Sequence, residues 1–209
     1  MNQVIYHKNT IEFVTVAVEF CSFIEQALSS EKKKFTDTAV KILPFLYLKG
    51  CLLPECEEPE EVYISEKFVT EEIYELIRNR IASLLGSQDS YLEVFVSDMQ
   101  YSDTPIVAYI SEDLTDIYQD IKDFVSIYRI GIEEQMYEAL YNCRTNFKNY
   151  WGQKITNVLR PLHGIAFSPD NEEETSNASS PNIPDNTRSI LEQRMEEWKD
   201  EPDLDHWHE

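Results

Sequence analysis

Between Asn9 and Leu28 the polar residues fall at Glu12, Thr15, Glu19, Ser22 and Gln26, a spacing of three, four, three, four. Almost every other position is apolar. At 3.6 residues per turn the polar groups form one narrow stripe, so the spacing predicts a helix that is covered on most of its sides. A helix of that kind needs several others around it. The chain has only five glycines in 209 residues, which suits helices and argues against a β-sandwich or a glycine-rich phosphate loop.

Five more helices can be read from the same periodicity. One covers about Thr36 to Cys51, with Pro44 expected to kink it or to lie near its start. Another starts from a Thr70 cap, with Glu71 and Glu72 in its first turn, and ends at Gly86. A fourth follows Ser111, taken as its N-cap. The fifth runs from Ile132 to about Tyr150, with Trp151 as an anchor to the sixth, which runs to His163 and stops at Gly164. All five glycines, Gly50, Gly86, Gly131, Gly152 and Gly164, read as punctuation. In "YLEVFVSDMQYSDTP", residues 91–105, Tyr91, Glu93 and Phe95 alternate with Leu92, Val94 and Val96. That alternation resembles a strand, but no partner strand is evident, so the segment reads as a packed, extended connector. The expected fold is an all-α, single-domain bundle of about six helices over residues 1–167.

Composition changes after Phe167. Residues 168–186 read as a disordered-type linker. Residues 187–209 read as an acidic tail containing a short amphipathic helix, with Ile190, Leu191, Met195 and Trp198 on one side. Such a helix either packs back on the body or docks in a partner's groove.

The formal charge is −21. From Ser168 onward there are 13 acidic and 3 basic residues, a net −10 in the last fifth of the chain. This balance opposes direct binding to nucleic acid or to an anionic membrane, because phosphate contacts need lysine and arginine. It permits a basic protein partner or a cation. The four cysteines form no CxxC pair and none has zinc spacing with histidine, which predicts reduced thiols. No stretch reads as a signal peptide or a membrane span. The expected compartment is the cytoplasm, with no cofactor.

Chemistry, if any, concentrates in "SEDLTDIYQDIKDF", residues 111–124. Asp113, Asp116, Asp120 and Asp123 share one helix flank, about 100° from the apolar face of Ile110, Leu114, Ile117, Ile121 and Phe124. Asp113 sits in the first turn, where the helix dipole favours acid. Asp116, Asp120 and Asp123 have no basic residue three or four positions on. Their partners must come from elsewhere, and Arg78, Arg80, Arg144, Lys148, Lys154 and Arg160 are candidates. Three readings are open: a solvated flank with inter-helix ion pairs, a Mg²⁺ or Mn²⁺ site, or an acidic surface for a basic partner. The metal reading draws glutamates such as Glu72 and Glu75 from a neighbouring helix. It is similar to the ExxE and ExxD helices of all-α nucleotide pyrophosphatases, although the aspartates give only DxxD. The four histidines, and the serines and cysteines, show no catalytic context.

The blocks "YLEVF", "SEDLTDIYQDIKDF" and "YWG…LR.LH" together resemble a bacterial family of unknown function catalogued with the number 5063. The likeness spans roughly residues 10–165 and is densest over 84–163. It implies a small all-helical domain with no established activity, substrate or cofactor. It also associates such proteins with chromosomal neighbourhoods that contain exonucleases, so the expected basic partner includes a nuclease. The combined expectation is a non-enzymatic accessory or binding protein that uses an acidic surface. The alternative is a divalent-metal-dependent nucleotide hydrolase.

Overall fold

The apolar positions of the central helix, Ile110, Leu114, Ile117, Ile121, Phe124 and Ile127, are all buried, and they let it pack against four others. A computed structural model of the chain describes residues 2–27, 29–60, 67–93 and 106–168. These lie in the first of two units, Met1–Asn171, the second being Glu172–Glu209. A short helix α1 (Asn2–Ile5) leads into α2 (Lys8–Gln26) and α3 (Lys32–Cys51). After a loop come α4 (Glu71–Leu85), strands β1 (Ser90–Glu93) and β2 (Ile106–Tyr109), and the central α5 (Ile110–Ile130). The chain then continues through α6 (Glu133–Asn146), a π turn over Phe147–Trp151, and α7 (Gly152–Ala166). Six longer helices thus form the all-α bundle. Helix α5 packs against α2, α4, α6 and α7, while α3 packs against α2 and α7.

Helices α2 and α3 run antiparallel. Near one end Lys49 Nζ lies 2.6 Å from Glu12 Oε2, and near the other Phe23 stacks on Phe35 with ring centroids 4.9 Å apart. Basic side chains close two helix C-termini across the bundle: Arg80 Nε donates to Ala27 O at 3.2 Å, and Lys32 Nζ to Leu85 O at 3.4 Å. These carbonyls lack intrahelical donors and carry the negative end of the dipole. Trp151 is fully buried between Phe13 and Phe147, and its indole N–H donates to Cys143 O at 3.1 Å. Cys21 and Cys143 are buried free thiols.

Several local expectations are corrected. Helix α3 starts four residues before Thr36, and of the two places expected for Pro44 it lies within the helix, not near its start. The start of that segment, Tyr91–Glu93, does have a partner strand: β1 pairs antiparallel with β2, Tyr91 opposite Ala108 and Glu93 opposite Ile106. The partner lies just past the segment's own C-terminal end, in "IVAY", whose unbroken apolar run hid the alternation. Gly50 and Gly152 do lie at helix ends, one residue before the last of α3 and at the first of α7, and they also allow close approach. A Cβ on Gly152 would lie 2.4 Å from Phe147 O, and one on Gly50 would lie 2.9 Å from the Phe147 ring. The Phe147 side chain therefore sits in a slot that two glycines keep open. Gly164 lies inside α7, which runs on to Ala166. Gly131 is a left-handed C-cap with φ 82°, as its position suggested. The tail helix with Ile190, Leu191, Met195 and Trp198 falls outside the described residues.

Candidate functional site

Helix α5 begins one residue before Ser111, with Tyr109 at the N-cap position and no side-chain cap of its own. Ser111 is therefore not the cap. The cap comes from Asp89, at the turn before β1. One carboxylate oxygen of Asp89 accepts from Ser111 N–H and the other from its hydroxyl, both at 2.8 Å, while Asp89 O accepts from Ile110 N at 2.8 Å. This ties the start of the hairpin to the start of α5 and fixes the rotation of the aspartate flank.

The flank faces side chains from four other elements. Lys154 of α7 reaches Asp113 Oδ1 at 2.5 Å and Asp116 Oδ2 at 2.8 Å. Tyr91 of β1 donates to Asp113 Oδ2 at 2.5 Å. Tyr74 of α4 and Tyr150 of the π turn donate to Asp116 Oδ1 and Oδ2, each at 2.7 Å. All four carboxylate oxygens of Asp113 and Asp116 thus have donors. Asp113 is not explained by the helix dipole alone, since it is buried and shares the one ammonium.

The titration behaviour follows from this packing. Burial by itself would lower Lys154, but its hydrogen bonds to Asp113 and Asp116 outweigh that and hold it above the ordinary lysine range. Burial, followed by the carboxylate hydrogen bonds, raises the phenols of Tyr74 and Tyr91, and pushes Tyr150 up to about 12. Shifts in these directions fix charge states and do not create a base or nucleophile near neutral pH. The cluster is chemically a polar joint: one cation between two anions, closed by three phenols.

Two turns beyond Asp116, Asp123 serves the chain that leads into α4. Its Oδ1 accepts from Phe68 N at 2.8 Å and Val69 N at 3.4 Å, and Lys67 Nζ lies 3.1 Å from Oδ2. Asp120 is different. Oδ1 accepts from Asn146 Nδ2 at 3.1 Å, but Oδ2 is buried without a partner. It borders a cavity of about 70 Å³ that Lys67, Asp123, Asn142, Cys143 and Asn146 also line. Burial raises the Asp120 carboxyl, Asn146 and Lys67 pull it down, and Asp123 and Asp116 push it up again.

The glutamates of α4 do not complete a ligand set. Glu72 is exposed, and its hydrogen bond with Thr70 lowers its carboxyl. Glu75 pairs with Arg78 at 2.6 Å, and Arg78 reaches Glu112 at 3.4 Å. Among the described residues no three Asp, Glu, His or Cys side chains converge as a metal group, and no helix is long and apolar enough to cross a membrane.

The acid that stays available lies elsewhere. Glu55, Glu57, Glu58 and Glu60 are exposed on the loop between α3 and α4. That loop is pinned to α6. Glu57 N donates to the Tyr137 hydroxyl at 3.1 Å, the same hydroxyl donates to Glu57 O at 3.0 Å, and Arg144 holds Glu55 at 3.1 Å. No basic side chain among the described residues pairs with Glu57, Glu58 or Glu60. The run "PECEEPEE", residues 54–61, shows its charge in the sequence but not its anchoring, which depends on Tyr137, 80 residues beyond Glu57.

Residues 4–168 match the family described as Domain of unknown function (DUF5063). The crystal structure of protein BF1032 from Bacteroides fragilis is similar, with 48% sequence identity and a TM-score of 0.71. The match covers 80% of this chain and 98% of that one. No curated protein matches. With the bundle, the aspartate flank and the connecting hairpin in place, the chain belongs to this bacterial family of all-helical proteins of unknown function.

Proposed function

We propose that the protein is a non-enzymatic accessory protein that contacts a basic protein partner through the glutamate loop at 54–60. One contrast supports this reading. The aspartates of α5 are consumed inside the fold, whereas Glu57, Glu58 and Glu60 stand exposed beside a backbone that Tyr137 holds at Glu57. A pinned loop loses less conformational freedom on binding than a free one, so its charges are better placed for recognition. Complementary charge of this kind mainly speeds encounter and selects the partner's sign. A basic nuclease fits that chemistry. The metal-dependent hydrolase reading draws less support, because a divalent ion at Asp113 and Asp116 would have to displace Lys154 and the tyrosines.

The test is a lysate pull-down with the full chain at low and at high salt, beside a Glu57→Gln/Glu58→Gln/Glu60→Gln variant. A basic protein retained at low salt should be lost as salt rises and lost again in the variant. Equal retention by the variant would remove the loop from the account.

A further inference from the structure

We propose that the cleft between β1 and α7 is a binding site for a small zwitterion with an apolar body, of the class of an apolar free amino acid. A cavity of about 410 Å³ opens there, lined by Tyr91 and Glu93 on the strand and by Asn157, Arg160 and Pro161 on the helix. That volume falls in the range of small-molecule sites. The spacing 157, 160, 161 places the three helical residues on one face of α7. The strand is tied to that face at Glu93, whose Oε1 accepts from Asn157 Nδ2 at 2.8 Å. The Tyr91 hydroxyl is already held by Asp113, so its ring is a fixed wall. Together with Pro161 it supplies the apolar surface of the cavity.

Three polar groups in this cavity have unused capacity. Arg160 makes no ion pair or hydrogen bond among the described residues, in a chain of −21 where acid is plentiful. The carboxylate that shares the cavity with it, Glu93, is engaged by Asn157 instead, and its Oε2 has no partner among the described residues. Pro161 lies inside α7 and has no N–H, so Asn157 O, four residues earlier, lacks its helical donor. Both residues line the cavity, which puts that carbonyl on its side of the helix. The occupant follows from these charges. A guanidinium calls for an anion, while Glu93 and an open carbonyl call for an ammonium. An α-amino acid carries both groups on one carbon. A simple anion would leave Glu93 unanswered and would be repelled by the field of a −21 chain, whereas a zwitterion has no net charge. The walls formed by Tyr91 and Pro161 select an apolar side chain. This site is separate from the glutamate loop, and either can fail alone.

Thermal-shift measurements on the full chain with leucine, isoleucine, methionine, phenylalanine and tryptophan, each at about 10 mM, test the proposal, because binding to the native state raises the midpoint. At least one of the five should raise it. For that amino acid, calorimetric titration should show binding weakened about tenfold or more in Arg160→Gln and likewise in Glu93→Gln. Arg160 is exposed, and Glu93→Gln keeps the acceptor for Asn157, so both variants should retain the helical circular dichroism of the parent. The matching amine and the matching carboxylic acid, each lacking one of the two charges, should bind as weakly as the variants do. No rise with any of the five would overturn the proposal. So would full affinity in either variant, or equal binding of a single-charge analogue.

Discussion

Two acidic regions of this protein look alike in sequence and do opposite things. The aspartate flank of α5 is regular and helical, which suggests a binding stripe, yet its carboxylates are tied to Lys154, Tyr74, Tyr91, Tyr150, Lys67, Asn146 and the backbone ahead of α4. The loop at 54–60 is irregular, yet it leaves its glutamates to solvent on a fixed backbone. Regular spacing on a helix beside the core is thus a sign that neighbouring helices use the charge. On the loop, Glu55 meets Arg144, but Glu57, Glu58 and Glu60 have no such neighbours among the described residues.

The comparison can be broken most forcefully at Lys154. Lys154→Ala would leave Asp113 and Asp116 packed together without their cation. Removing one partner of a largely buried pair costs about 3 kcal/mol, so urea unfolding should show a large drop in midpoint. A variant as stable as the parent would mean that water already screens the cluster. Next in size is Tyr91→Phe, which removes one hydrogen bond to a buried charge and should cost about 1.5 kcal/mol by the same measurement. The corresponding Glu58→Gln should stay within about 0.5 kcal/mol.

Asp120 sharpens the contrast by sign. Its carboxyl is raised in the folded state, so the fold binds this proton more tightly than the unfolded chain does. The contribution of this one group to stability is then largest below the ordinary aspartate range and is lost as pH rises through the folded value. Asp120→Asn keeps the acceptor for Asn146 and should raise the thermal midpoint at neutral pH. That advantage should disappear as pH falls through the carboxylate range. A smaller effect still is expected from divalent metal: millimolar Mg²⁺ or Mn²⁺ should leave the midpoint where it is, since binding to the native state would raise it. A clear rise would reopen the hydrolase reading.

Much of the fold was legible because periodicity reports burial. The narrow polar stripe of α2, the Thr70 cap, the Gly86 and Gly131 stops and the apolar face of α5 all depend on residues within a turn or two. What was not legible depends on distance along the chain. The α5 cap is Asp89, 22 residues before Ser111, and no local pattern links them. Lys154 stood among six basic candidates, and only the packing of α7 on α5 selects it. Tyr74, Tyr91 and Tyr150 carried no signal, since a tyrosine beside a core is ordinary until its hydroxyl meets a carboxylate. Gly50 marks a helix end in the sequence, but its second use, room for the Phe147 ring, appears only once α3 is packed on the π turn.

The central claim is that acid on α5 is structural and acid on the 54–60 loop is free. Urea unfolding of two charge-neutralised variants under one set of conditions tests it directly. Asp113→Asn/Asp116→Asn should lose about 3 kcal/mol, because a half-buried lysine is left without its anions. Glu57→Gln/Glu58→Gln/Glu60→Gln should lose no more than about 0.5 kcal/mol. Equal losses, or a gain in the aspartate variant from relieved repulsion, would contradict the account.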